Sequence, residues 1–356
     1  MPKPAPTRLT PEQIDAAEAA GIIPAAQARA MRTDWASREP EEASPSAPQI
    51  GNEDELRFLR SFGDVFIGVG LVLLALGTAA IVGLLGGGPV FLGAAAAAWA
   101  MAEYFGRVKR AHFPTLITAL AFLVFTQTGL AGIASLGGIG AALITVGAMA
   151  LFYWRIRLPF CIALIAVSLI YLLFAVLFQI SPALVRREFT AVMVLAGLSV
   201  FAVALLYDSR DVQRRTRFAD NAFWLHLLAA PLIIHGLVGS AVSSKTEMLF
   251  DIIPTLAFSE RDAVIVLAAL GGLTLVGLAI NRRALIVSSL FYAGAAIAFL
   301  VRQTGMDIGN VLSLTLVVLG AAIVLLGVAW HPARNQLLRV LPGWRVFPPP
   351  YQPEPA

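Results

Sequence analysis

The chain has 356 residues, of which 58% are hydrophobic and 13% charged, and its mean hydropathy is +0.79. These values exclude an ordinary soluble domain and predict an all-α membrane protein with many spanning helices. The formal charge of +4 is too small for this length to indicate nucleic-acid binding, which needs a concentrated basic face.

Residues 1–35 predict a small helical hairpin that lies in the cytoplasm. Thr10 can cap a first helix, and Gln13 can complete its capping box. Gly21 ends this helix and Pro24 can open a second one. No basic segment with a short apolar core comes before the hairpin, so we expect no signal peptide. The expected apolar contacts are Ile14, Ile23, Met31 and Trp35.

Residues 36–55 are rich in proline, glutamate and serine, a composition typical of a disordered linker. The hairpin before this linker is too short to hold a sizeable core alone. We therefore expect residues 10–35 to dock on the membrane domain or on a protein partner, or to be only marginally folded.

The string LTPEQIDAAEAAGIIPAAQARAM, followed by a linker and then FGDVFIGVGLVLLALG, resembles a bacterial family of predicted membrane proteins of unknown function. In that family a short cytoplasmic helix pair comes before many hydrophobic helices. The resemblance covers roughly the first 85 residues and the general hydropathy of the rest. It implies a membrane location and no catalytic residue.

Residues 56–331 predict a membrane domain of ten helices. Residues 65–102 and 113–154 contain no Asp, Glu, Lys or Arg and have glycines at their centres, so each stretch predicts two spans. Six further apolar runs lie at about 158–178, 189–207, 222–242, 262–280, 284–302 and 308–330.

The positions of the basic residues predict that both termini are cytoplasmic. With ten spans and the N-terminus inside, 21 of the 26 Lys and Arg residues fall in inner segments. An odd number of spans would destroy this alternation. Arginine far outnumbers lysine and alanine is abundant, which favours a bacterial source and therefore the inner membrane.

Glycines at a spacing of seven predict stripes on which another helix can pack closely. The stripes lie on the first, fourth and tenth predicted helices. Their members are Gly63, Gly70 and Gly77, then Gly140 and Gly147, then Gly320 and Gly327.

Three polar side chains, Gln127, Tyr171 and His235, come at nearly the same depth when they are counted from the inner ends of their helices. They could line a small pocket in the outer half of the bundle, or they could make hydrogen bonds between helices. The spans contain few other ionisable residues, which argues against a proton- or sodium-driven pump.

The seventh predicted helix contains His226, Pro231 and His235. The two histidines are nine positions apart, about 180° around a regular helix, so we expect no shared metal site. Pro231 should kink the helix because it frees the carbonyl of Leu227.

Two further segments lie outside the predicted spans. Residues 243–261 form the one long outer loop, which is too short and too broken by Asp251 and Pro254 to span. We expect a short amphipathic piece in the interface, or a lid over an outward-facing cavity. Residues 332–356 are expected to form a proline-rich cytoplasmic tail.

The sequence contains no complete nucleotide-binding, hydrolase or metalloprotease motif, and its single cysteine, Cys161, excludes a multi-thiolate zinc site. We therefore expect no enzyme, metal or cofactor. The charge-poor spans, glycine stripes and tethered head favour an interaction or assembly protein that contacts lipid and a possible protein partner. The alternative is a carrier of an apolar or amphiphilic small molecule, oriented by Gln127, Tyr171 and His235.

Overall fold

The described residues are almost entirely helical, in agreement with the predicted all-α class. The chain divides into two compact units, residues 1–52 and 53–356. A computed structural model describes residues 11–42, 62–211, 214, 216–238, 247–249, 253–255, 259–288 and 290–341.

The N-terminal unit contains a helical hairpin. Helix α1 spans Pro11–Ala19 and α2 spans Ala25–Glu42. Gly21 between them has a φ of +69°, a left-handed conformation that glycine adopts without strain. α2 continues beyond residue 35, where the sequence predicts that the linker begins. The rest of that predicted linker, residues 43–55, lies outside the described residues.

A charged contact joins the two helices of the hairpin. The Arg32 guanidinium on α2 donates to the carboxylate of Asp15 at 2.6 Å and to that of Glu18, both on α1. These hydrogen bonds raise the pKa of Arg32. The side chains of Ile14 and Ala28 are buried, and among the hairpin side chains that the structure describes they form a very small apolar core.

The first part of the second unit consists of five helices. Gly86–Gly88 join the first two with three successive positive φ angles, which form the turn that the sequence predicts. A π-helical turn, Tyr104–Val108, continues the second helix, and a 3-10 turn, Ala134–Leu136, comes before the fourth. The helices are α3 Phe62–Leu84, α4 Val90–Glu103, α5 His112–Ala131, α6 Gly137–Ile156 and α7 Phe160–Ile180.

Among the residues that the structure describes, the second part contains six further helices and two short strands. Its first helix is capped by Ser181, whose hydroxyl accepts a hydrogen bond from the Leu184 N–H at 3.2 Å. The elements are α8 Pro182–Arg210, α9 Arg217–Leu237, β1 Glu247–Leu249, β2 Ile253–Thr255, α10 Glu260–Ile280, α11 Ala284–Val287, α12 Leu290–Arg302 and α13 Ile308–Val340.

The two strands lie within the predicted outer loop, residues 243–261. They pair antiparallel, with Glu247 opposite Thr255 and Leu249 opposite Ile253. The sequence predicts an interfacial piece here but gives no sign of the strand pairing. The remainder of the loop before Ser259 lies outside the described residues.

Each predicted apolar run contains helix, but the resulting helices differ in length and polarity. Seven of the described helices are long and apolar enough to cross a membrane: α3, α5, α6, α7, α8, α10 and α13. The other segments are α4, which has 14 residues before its π turn, the more polar α9, and the broken pair α11 and α12. The chain is thus a helical membrane protein by helix length and composition.

An aromatic core holds α4, α5 and α6 together. The ring of Trp99 lies 5.2 Å from the rings of both Phe122 and Phe152, measured between centroids. Met149 and Cys161, the single cysteine of the sequence, are fully buried in the same cluster. Buried alanines complete this core, and they allow helix backbones to approach closely.

Candidate functional site

Asp208, in the last turn of α8, is the centre of a buried ionic cluster. Its side chain is 1% exposed. Arg282, which follows α10, donates from Nε to Oδ2 of Asp208 at 3.2 Å and from a terminal nitrogen to Oδ1. Nε2 of His226 on α9 lies 2.9 Å from the same Oδ2 atom. One carboxylate thus binds an arginine fork and a histidine, the geometry of strong charge-assisted hydrogen bonds.

The contact with Asp208 determines the tautomer of His226. An ionised carboxylate can only accept hydrogen bonds, so His226 donates its Nε2 proton to it. The imidazole is fully buried, and it meets the ring of Phe201 edge-on with centroids 5.3 Å apart. This histidine therefore fixes α9 against α8.

The end of α10 places Arg282. Asn281 has a φ of 57°, and the Arg282 N–H donates to the Gly277 carbonyl at 2.8 Å. A Cβ at Gly277 would lie 2.9 Å from the Arg282 carbonyl oxygen, so glycine permits this tight helix end. The guanidinium also donates to the Ala219 carbonyl on α9 at 3.3 Å.

A second buried arginine, Arg214, caps the same end of α10. It lies in the loop between α8 and α9 and is 5% exposed. Its guanidinium donates to the carbonyl oxygens of Ile280 at 2.9 Å and Asn281 at 2.8 Å. Carbonyls at a helix end lack partners within the helix and carry its negative dipole, so a cation is favoured there.

Hydrogen bonds join Asp211, directly after α8, to Thr216, directly before α9. Oδ2 of Asp211 accepts from the Thr216 N–H at 2.7 Å and from the Thr216 hydroxyl at 2.6 Å. The Thr216 hydroxyl oxygen in turn accepts from the Phe218 N–H at 3.2 Å and caps α9. These contacts hold Asp211 and Thr216, the described residues on either side of Arg214, close together.

Helix α13 reaches the cluster from its other side. Trp330 donates from Nε1 to the Asn281 side-chain oxygen at 2.9 Å, and Arg334 donates from Nε to the Leu278 carbonyl at 3.0 Å. The Arg283 guanidinium lies 5.2 Å from the centroid of the Trp330 ring, within cation–π distance. We refer to Asp208, Arg214, His226, Asn281, Arg282 and Trp330 as the helix-end cluster.

The helix-end cluster joins the end of α8, the start of α9 and the end of α10 to α13 at Trp330, which lies well before the end of that helix at Val340. Asp208, Arg214 and Arg282 are all more than nine-tenths buried. A buried charge is tolerated where its partners are well placed, and removal of one partner leaves the other uncompensated. The geometry is therefore that of a latch that holds these four helices in one arrangement.

The sequence patterns do not predict this latch. The basic residues of the inner segments indicate only the orientation of the chain, and His226 is considered there only as a metal ligand. Two signals were present: Asp208 directly follows a long apolar run, and only three residues, 281–283, separate α10 from α11. Neither signal shows which arginine meets the carboxylate.

The three polar residues predicted to share a pocket have different surroundings. Nδ1 of His235 is 3.1 Å from the Tyr292 hydroxyl, and its ring faces Phe189 with centroids 6.0 Å apart. The Gln127 amide nitrogen and oxygen are both buried without a hydrogen-bond partner among the described residues. Tyr171 is 44% exposed. No hydrogen bond or ring contact recorded in the described part of the chain joins any two of the three, so the shared pocket stays a prediction.

The two histidines of α9 have separate partners, Asp208 for His226 and Tyr292 for His235. Pro231 lies between them, inside a helix that runs without interruption over Arg217–Leu237. In the ranges that the structure describes, no group of three His, Cys, Asp or Glu side chains could hold a metal ion.

Six of the seven glycines in the predicted stripes make no close contact with another helix in the part of the chain that the structure describes. A Cβ at Gly140 would meet only Leu136 of its own helical segment, at 3.6 Å. Close backbone approaches occur instead at other glycines, such as Gly197 and Gly236 between α8 and α9. Gly63 lies on α3 with the rest of its stripe. The positions where an added Cβ would meet nothing within 4 Å are Gly70, Gly77, Gly147, Gly320 and Gly327.

Comparisons with protein-family models, with curated proteins and with solved structures found no match. The resemblance to a bacterial membrane-protein family therefore stays a prediction.

Proposed function

We propose that the chain crosses the inner membrane of a bacterium ten times, with both termini in the cytoplasm. The helix-end cluster supports this topology. In a ten-span chain the end of α8, the start of α9, the end of α10 and the inner part of α13 all lie on the cytoplasmic side. Asp208, Asn281 and Trp330, which come from these segments, are in hydrogen-bonded contact through the cluster.

The same contacts support crossings by the helices that are not among the seven long spans. If α8 and α10 end on the same side of the membrane, α9 must cross to the other side and α10 must cross back. The contact between Trp330 and Asn281 gives the same argument for α11 and α12. In the first part, Glu103 at the end of α4 accepts from Arg155 at the end of α6 at 2.6 Å, which supports a crossing by α4.

We propose that the protein is an interaction or assembly protein of the membrane, without enzymatic activity. This proposal rests on four glycines of the stripes on α3 and α13, at which an added Cβ would meet no atom of the described residues within 4 Å. Gly70 and Gly77 on α3, and Gly320 and Gly327 on α13, leave room at their surfaces for another helix backbone. α3 and α13 are also the least buried of the seven long spans.

The N-terminal unit supports the same role. Its hairpin is held by the pairing of Arg32 with α1 and exposes apolar side chains, with Ile22 74% and Met31 41% exposed. Scattered exposed apolar residues are common on soluble surfaces. On a hairpin whose described apolar core is so small, the exposed side chains of Ile22 and Met31 suit a docking face for a protein partner.

Site-specific photo-crosslinking in native membranes tests the assembly role. Leu316 and Val318 on α13 are both exposed, but they are about 200° apart around the helix. Leu316 lies one turn from Gly320 on the same face. We expect a photoreactive residue at 316 to give discrete protein adducts and one at 318 to give none.

A packing interface further predicts that Gly320→Leu abolishes the adducts from position 316. Ala321→Leu, which adds the same bulk on an exposed neighbouring face of α13, should leave them unchanged. If position 316 gives no protein adducts, or if both substitutions have the same effect, α13 faces lipid and the assembly proposal is wrong.

A carrier of an apolar or amphiphilic molecule is the second candidate. It is favoured by the Gln127 amide, which is buried without a hydrogen-bond partner among the described residues and could be satisfied by a ligand. Deletion of residues 1–50 separates the two roles, because it should abolish partner capture but leave flux through a carrier unchanged. His235→Phe should reduce ligand binding only if the carrier proposal is right.

A further inference from the structure

An apolar cavity of about 290 Å³ lies between α3, α4 and α5. Its walls include Leu71 and Thr78 from α3, Ala97 and Met101 from α4, and Ile117 and Phe125 from α5. The cavity is far from the helix-end cluster in sequence, and it shares no residue with it. All three helices belong to the first part of the membrane unit.

The cavity exists because α3 packs on α5 and barely touches α4. At Gly68 an added Cβ would lie 2.2 Å from the Phe113 ring, so the glycine lets this ring of α5 lie directly against the α3 backbone. On the other side, α4 lines the gap with Ala94, Ala97 and Met101, and the two alanine side chains are too short to fill it. The protein's own side chains therefore leave the cleft between α3 and α4 unfilled.

The shape of the cavity suits an extended alkyl chain. On α5 its lining runs from Ile117 to Phe125, about 12 Å along the helix axis at 1.5 Å per residue. Its walls are almost wholly apolar, and apolar cavities do not hold water stably. Within a bilayer, the available apolar molecules are lipid chains, which can enter between two helices.

Basic residues gather beyond one end of this cavity. Met101 on α4 is about two helical turns from the connection to α5, which contains Arg107, Lys109 and Arg110. Glu103 accepts from Arg107 at 3.3 Å and from Arg155 at 2.6 Å. The Lys109 ammonium lies 5.8 Å from the centroid of the Tyr104 ring.

One carboxylate therefore faces several cations. Lys109, Arg110 and Arg157 are all exposed at this level and have no ion pair recorded in the described residues. Together they form a surface that attracts an anionic group at the depth of a lipid headgroup.

We propose that the cavity binds one acyl chain of an anionic phospholipid, whose headgroup lies against Lys109 and Arg110. The ligand therefore has an alkyl chain and an anionic head, and the surrounding bilayer supplies phospholipids with both. This inference goes beyond the assembly role and does not depend on it.

The test uses the full-length protein, delipidated and then exchanged into mixed micelles that contain phosphatidylglycerol and phosphatidylcholine in equal amounts. Native mass spectrometry counts the lipids retained and identifies them by mass. We expect one tightly retained phosphatidylglycerol per chain. A separate arm with added oleate shows whether a free fatty acid replaces it, which would overturn the assignment to phospholipid.

Cavity-filling variants test the position of the acyl chain. Ala97→Phe places a ring in the cleft and should abolish retention, whereas Ala96→Phe, at the next exposed residue of α4 but outside the lining, should not. Ala121→Leu adds less bulk from the α5 wall and should cause a partial loss even if the larger variant is poorly folded. Equal retention in the Ala97, Ala121 and Ala96 variants would overturn the proposal.

Charge variants test the headgroup. Replacement of Lys109 or Arg110 by Gln should lower the preference for phosphatidylglycerol over phosphatidylcholine by about fivefold for each residue. Arg186→Gln, near the opposite end of the bundle, is the control and should leave the preference unchanged. Equal retention of the two lipids by the unaltered protein would overturn the proposed headgroup site.

Discussion

Asp208 and Arg282 form a two-pronged ion pair across 74 residues of chain, with both side chains nearly inaccessible. The pair joins the end of α8 to the end of α10, and His226 completes it from α9. Because α9 follows α8 and contacts the pair through His226 and the Ala219 carbonyl, the pair fixes where a relatively polar helix enters the bundle.

Asp208→Ala should destabilise the protein strongly, because Arg282 would remain buried without its counter-charge. The expected loss in free energy of unfolding is about 3–5 kcal/mol. Thermal and denaturant unfolding of the purified protein measures it. The control is Glu188→Ala, which removes an exposed ion pair with Arg187 on the same helix and should cost less than about 1 kcal/mol.

Replacement of both members of the pair provides a further check. Asp208→Leu combined with Arg282→Met removes both buried charges and should recover much of the stability lost in Asp208→Ala. A double variant as unstable as the single one would show that the contacts of Arg282 with other groups dominate.

Arg214→Gln should loosen the end of α10, because the carbonyls of Ile280 and Asn281 lose a charged donor. Hydrogen bonds to charged groups contribute about 1.5–3 kcal/mol each, so local opening becomes much easier. Hydrogen exchange of the last turn of α10 measures this effect. Arg210→Gln, at an exposed position of α8, should leave that exchange unchanged. Similar exchange in the two variants would contradict the capping role.

Gly197→Ala should separate α8 from α9. A Cβ there would lie 2.7 Å from a side-chain atom of Ile233 and 3.0 Å from its backbone nitrogen, so a helix must shift. Overpacking of this kind costs about 1–3 kcal/mol. Gly147→Ala meets nothing within 4 Å and is the matched control. If both variants unfold at the same temperature, the close contact between α8 and α9 does not contribute to stability.

Hydropathy and turn residues predict most of the fold, because both act locally. Three successive glycines before Pro89 mark the turn between α3 and α4, and the structure places positive φ angles there. Helix ends are predicted less well. α8 begins at Pro182 rather than near residue 189, since its first turns contain Arg186, Arg187 and Glu188, which apolar periodicity excludes.

The candidate site could not be predicted in the same way, because it depends on contacts between distant segments. His226 is conspicuous in the sequence, but nothing local shows that its partner is Asp208.

The contacts of the glycines also depend on distant segments. A spacing of seven identifies stripes such as Gly70 and Gly77, whereas the close contacts within the chain occur where a neighbouring helix happens to pass, at Gly197 and Gly236.

Topology mapping by cysteine labelling tests the ten-span account most directly. In a Cys161→Ala background, single cysteines at Ser209, Glu260 and Thr304 are probed in intact cells with a membrane-impermeant reagent. With ten spans, positions 260 and 304 should be labelled from outside, and position 209 should be labelled only after permeabilisation. Labelling of position 260 or 304 only from inside would show that α9, or the pair α11 and α12, does not cross, and would contradict the account.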